Sequence, residues 1–152
     1  GLDTSLIRGV VTMSGAYDLA ALAAWPGNQR SLSAIEVLGY RTLFLTVFGG
    51  YQAELLAAAS PAGFVRTSMP PFRVIYAWED MPGFPEEAVA FHALASSLGR
   101  PYADLVKLEE SDIPAEVLAL GRGGHYEENY AINTRDHDSV STRAVVDFIA
   151  AH

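Results

Sequence analysis

A chain of 152 residues, half of them apolar, has the size of one domain and enough hydrophobic side chains to bury a core. Ten Lys and Arg against 18 Asp and Glu give a net charge of −8, which argues against a nucleic-acid backbone or an anionic membrane surface as partner. There is no cysteine, so disulfides, thiolate catalysis and Cys-ligated metals are excluded while the compartment stays open.

The segment Ile7-Arg8-Gly9-Val10-Val11-Thr12-Met13 is rich in β-branched residues and runs into Ser14-Gly15. It predicts a strand ending in a loop, with Asp18 just beyond its C-terminal end. From Leu19 to Ala59 the pattern becomes helical, broken at Pro26-Gly27-Asn28 and at Gly49-Gly50, which predicts a mostly helical excursion or partial cap over 19–59. Gly49-Gly50 also interrupts the most apolar stretch, Leu43 to Phe48, so no segment reaches the roughly 20 residues a membrane span needs.

Phe72 to Ala77 lacks clean alternation, the pattern of a central parallel strand covered by helices on both faces. Pro85 at a helix start, Glu86 and Glu87 in the first turn, and Phe91, Leu94, Ala95 and Leu98 on one side predict an amphipathic helix ended by Gly99. Tyr102 to Leu108 does alternate and reads as an edge strand. A last helix, capped by Ser141 with Val145, Phe148, Ile149 and His152 on one side, should pack back on the sheet. This order is that of an α/β fold with parallel strands and right-handed crossovers, whose ligands gather at the strands' C-terminal ends. Asp18, Asp80 and the loop carrying His137 all fall at that end.

A histidine acting as general base needs a carboxylate to hold its tautomer and to stabilise the imidazolium. Asp80 is the candidate acid: it closes the buried strand, and Met81-Pro82-Gly83 turns the chain away after it. An Asp before a Pro-Gly turn can equally cap the local backbone. His137, in Asp136-His137-Asp138-Ser139 just before the last helix, is the first choice of base. His125, after Gly121-Arg122-Gly123-Gly124, is the rival, since a glycine-rich approach can bring a histidine into a pocket or form a surface insertion. His92 and His152 read as structural or solvent-facing. Trp78, Met81 and Phe84 are candidate substrate-lining residues, with core packing as the competing role.

Acid followed by histidine is the second part of a Ser, Asp, His triad, whose serine sits in a G-x-S-x-G elbow. These 152 residues contain no such elbow. Ser14 in Thr12-Met13-Ser14-Gly15-Ala16 and Ser60 in Ala58-Ala59-Ser60-Pro61-Ala62 lack the flanking glycines. No H-E-x-x-H pair, zinc spacing or phosphate loop is present, so neither metal nor cofactor is expected.

Four segments in this order resemble the C-terminal half of an α/β-hydrolase, closest to the carboxylesterase and kynurenine formamidase-like branch. Val10-Val11-Thr12-Met13-Ser14-Gly15-Ala16-Tyr17-Asp18-Leu19 is similar to the family's strand with a Ser-Gly-x-Tyr-Asp-Leu ending. Ala59-Ser60-Pro61 and Met69-Pro70-Pro71-Phe72 resemble the return into the acid-bearing strand. Asp80-Met81-Pro82-Gly83-Phe84 resembles the acid loop, and Asp136-His137-Asp138-Ser139 the histidine motif. Two features depart from the family: Asp138 replaces an apolar neighbour of the histidine, and Ser111 to Thr134 is a longer link, which keeps His125 in play.

The resemblance implies residues 1–152 as the C-terminal portion of one hydrolase domain, with Asp80 as triad acid and His137 as base, and Asp18 as a reserve acid. It implies a serine-dependent hydrolase of small carboxylic esters, or of arylformamides, whose nucleophile comes from the N-terminal half of the fold on the same or a separate chain. Without that half the Val10-Val11 strand would be an uncovered edge. A non-catalytic binding or assembly module of the same fold is the alternative, and a dehalogenase-like enzyme with an Asp nucleophile a further one.

Overall fold

The computed structural model describes residues 6–24, 34–50, 52–99, 103–113, 115–119, 125, 132 and 138–152. Its elements are β1 (Val10–Met13), α1 (Leu19–Ala24), α2 (Ala34–Phe48), α3 (Ala53–Ala59), β2 (Phe72–Ala77), α4 (Phe84–Ser97), β3 (Ala103–Leu108), α5 (Ala115–Leu118) and α6 (Val140–Ala151). The chain divides into two compact units, Gly1–Gly15 with Arg66–His152, and Ala16–Val65.

The first unit is an open three-stranded parallel sheet in the order β1-β2-β3. β2 is central, as its lack of clean alternation predicts. Its two faces carry different partners. Phe72 meets Phe91 of α4, with ring centroids 5.4 Å apart, so α4 covers the face of Phe72, Val74 and Tyr76. Ile75 is buried with Leu108 and with Ala144 of α6, so α6 covers the other face. A strand sandwiched this way gains nothing from polar alternation, which is why the sequence shows none.

Arg73 is the exception within that run. Its Nη2 pairs with Asp104 Oδ2 at 2.8 Å, Nη1 donates to the Ala144 carbonyl, and the guanidinium lies 5.3 Å over the Phe148 ring. The charge sits between β3 and α6 rather than in the apolar layer, and the stem packs as a hydrophobe would.

Two helices differ from their sequence expectation in detail. α4 starts at Phe84 behind Gly83, whose φ of 90° suits only glycine, and its buried stripe is Phe84, Glu87, Ala88, Phe91 and Ala95. Leu94 and Leu98 fall on its flank and remain partly exposed. α6 is capped by Ser139, not Ser141: the Ser139 Oγ accepts from Thr142 N at 3.2 Å, the N3 donor a cap satisfies. Ser141 instead lies in the first turn of the buried face with Ala144 and Phe148, while Ile149 is mostly exposed.

Gly9 precedes β1 where the chain passes Phe148. A Cβ built there would lie 2.6 Å from Phe148 Cε1 and 3.0 Å from Cζ. Phe148 is buried and lies under the Arg73 guanidinium, so moving the ring aside disturbs that contact. Gly9→Ala is expected to destabilise the fold by about 1–3 kcal/mol, the usual range for overpacking, read as a lower urea midpoint at unchanged slope.

Among its described residues the second unit carries the helices α1, α2 and α3. α1 and α3 pack together and bury Leu22 and Leu56. Ser60 joins them, its Oγ accepting from Leu19 N at 2.9 Å and donating to the Leu56 carbonyl at 2.7 Å. α2 is apolar around most of its circumference; Phe44 is buried, and Ile35, Leu38, Leu45 and Val47 are exposed. Among the described residues no single helix is long and apolar enough to cross a membrane.

Candidate active site

Because all three strands are parallel, their C-terminal ends lie on one edge of the sheet, the edge where α/β folds place ligands. Met13 pairs with Ile75, so Ser14 leaves β1 beside the end of β2 and its N–H donates to the Ile75 carbonyl at 3.0 Å. β2 ends at Ala77. Trp78 N–H then donates to the Leu108 carbonyl at 2.8 Å, and Asp80 N–H to the Ala77 carbonyl at 3.3 Å, folding a tight turn that sets Asp80 above the sheet.

The Asp80 side chain is completely shielded from solvent and, among the described residues, receives three hydrogen bonds. Oδ1 takes His125 Nδ1 at 2.7 Å and Met81 N–H at 2.7 Å, and Oδ2 takes the Ser14 hydroxyl. A carboxylate only accepts, so Nδ1 of His125 is the donor and Nε2 the acceptor in the neutral ring. Three donors on a dry carboxylate are what such a buried group requires. The His125 side chain keeps 23 % of its surface exposed. Phe84, at the first position of α4, stands edge-on to this ring with centroids 5.4 Å apart and planes at 82°.

Ser14 adopts φ 44°, the one described non-glycine residue with positive φ. For an L-residue with a side chain this costs about 1–2 kcal/mol, and such strain concentrates at sites where a side chain must be aimed. It lies at the junction of β1 and the loop, with its hydroxyl turned to the acid.

The sequence candidates separate accordingly. Asp80 is hydrogen-bonded to a histidine, to Met81 N–H and to the Ser14 hydroxyl. Its imidazole partner is His125, the rival of the sequence reading, while His137 lies outside the described residues. Phe84 borders the histidine, and Met81 contributes its backbone N–H to the acid. Trp78 packs against the core of Ile75, Leu108, Ile113 and Ala144. Asp18 caps α1, its Oδ1 accepting from Ala20 N at 3.1 Å and Ala21 N at 3.0 Å. His92 Nε2 bonds the Ala103 carbonyl at 2.9 Å, tying α4 to β3.

Ser14 lacks the flanking glycines of an elbow serine, and its neighbours in sequence assign it no chemistry. A small polar residue at the C-terminal end of the strand beside the acid strand was the available signal. Among the described residues no group of three or more His, Cys, Asp or Glu gathers in the way a metal ion requires. A buried acid aiming one imidazole nitrogen is equipped to accept and return a proton at the other. No protein-family model, no curated protein and no solved structure matches the chain.

Proposed function

We propose that the chain carries the acid and base of a serine-dependent hydrolase of small carboxylic esters, as the C-terminal half of an α/β-hydrolase fold. The Asp80–His125 pair at the C-terminal end of a central parallel strand is the observation that supports this reading most. The nucleophilic serine and its oxyanion donors come from sequence outside these 152 residues. His125 Nε2 takes the serine proton as Oγ attacks the ester carbonyl. Asp80 stabilises the imidazolium, which returns the proton to the departing alkoxide, and water resolves the acyl-enzyme by the same steps in reverse. An arylformamide would react identically, with an arylamine as leaving group.

The strand bearing that serine belongs beside β1. Val10 N–H and Ser14 N–H face β2, so by the alternation of the pleat Val11 and Met13 direct their backbone groups to the other edge. A second reading, a non-catalytic binding or assembly module, is favoured by this edge, with which no described strand pairs, and by the absence of an elbow in the sequence.

Intact-mass measurement of the native protein before and after a fluorophosphonate probe separates the two. One phosphonyl adduct on the native protein, carried by a longer or an associated chain, is the expected result. A homogeneous 152-residue species that takes up no label would overturn the hydrolase reading and favour the module.

A further inference from the structure

We propose that Ser14 is a positioning residue: its hydroxyl holds one oxygen of the Asp80 carboxylate and so fixes the plane of the group, which keeps the other oxygen facing His125. This rests on the Asp80–His125 pair acting as acid and base, and extends it to a third residue.

Rotation about the last carboxylate torsion is broad and roughly two-fold, so nothing intrinsic to Asp80 selects one orientation. Three donors select it here. Met81 N–H and His125 Nδ1–H converge on Oδ1, and the Ser14 hydroxyl donates to Oδ2. Met81 is the residue next to Asp80, so its bond moves with the same turn and gives no anchor outside it. Ser14 does: it comes from β1, 66 residues away, and its own N–H is locked to the Ile75 carbonyl within the sheet. The hydroxyl therefore transfers the rigidity of the β1–β2 pairing to the acid.

Two further features fit that role. Ser14 is buried, so the hydroxyl does not exchange this bond for water. Its backbone is held at φ 44°, which glycine would adopt without strain, yet a side chain with a donor stands there. Serving as a nucleophile would require an imidazole nitrogen at Oγ; its partner is instead the carboxylate that also holds the imidazole.

The test is the His125 ring proton itself, followed by 1H–15N NMR on the native protein, assigned by its disappearance in His125→Gln. In the unaltered protein a downfield, slowly exchanging Nδ1–H is expected; its absence would overturn the underlying acid–base pair. With that signal present, Ser14→Ala and Ser14→Gly should each move it upfield and speed its exchange about tenfold, the equivalent of one hydrogen bond. Glycine relieves the backbone strain and alanine does not, so a role confined to the backbone predicts that glycine leaves the signal unchanged. The amide resonances of Thr12 and Ile75 report whether the sheet survives, and glycine, being compatible with φ 44°, carries the test if alanine unfolds. A signal unaltered in the folded glycine variant would overturn the role of Ser14 and leave the Asp80–His125 pair standing.

Discussion

If the chain carries the acid and base of a serine hydrolase as proposed, His125→Ala should abolish fluorophosphonate labelling and ester turnover, a fall on the order of 10⁶ in rate, because the serine would then have no acceptor for its proton. Asp80→Asn should be less severe, on the order of 10⁴. The asparagine oxygen can keep both bonds at the Oδ1 position, to Met81 N–H and His125 Nδ1–H, and its amide nitrogen then faces Ser14, whose hydroxyl can turn to accept. The fold survives this exchange, but the imidazolium formed during attack loses its counter-charge. His137→Ala supplies the comparison: it should retain labelling if His125 is the base. Loss of labelling in His137→Ala, with His125→Ala within tenfold of the unaltered protein, would return the role to His137.

The parts of this molecule that local chemistry dictates are those the sequence reveals. The run from Phe72 to Ala77 announces a doubly covered strand, and Pro85 with its acidic neighbours announces α4, because burial and capping leave marks within a few residues. Asp80 is legible for the same reason, being the carboxylate at the end of that run. Its partners are not. Ser14 and His125 lie 66 and 45 residues away, and only the pairing of β1 with β2 and the path of the later chain bring them to one carboxylate. The glycine-rich approach to His125 carries no periodicity that would aim it, whereas His137 stands in a motif and immediately before a helix. Family resemblance therefore favours His137 while the acid is bonded to His125. Arg73 is obscured differently: it interrupts an apolar run, and nothing nearby indicates that Asp104 and the Ala144 carbonyl will receive its charge.

Phe148→Ala should be among the most costly single changes to the fold, destabilising it by about 3–5 kcal/mol in urea unfolding. The ring is 2 % exposed, lies under the Arg73 guanidinium, touches the chain at Gly9, and has the His152 ring 4.7 Å away. Against a total stability of about 5–15 kcal/mol this is a large fraction, and part of it comes from uncovering Arg73. An apolar cavity of about 420 Å³, bordered by Ile7, Gly9, Val11, Val145, Phe148 and Ile149, already adjoins the ring, so little neighbouring structure stands ready to fill the space. Phe148→Leu keeps most of the apolar volume and should cost about 1–2 kcal/mol, mainly the ring's contact with the cation. The contact with Gly9 can be isolated by a double-mutant cycle. Once the ring is gone, the nearest atom to an alanine Cβ at position 9 is the Pro71 carbonyl oxygen at 3.6 Å, an ordinary contact. Gly9→Ala should therefore lose nearly all of its cost in the Phe148→Ala background. An equal cost in both backgrounds would place the cause in the backbone at Gly9 and remove Phe148 as the reason glycine is needed there.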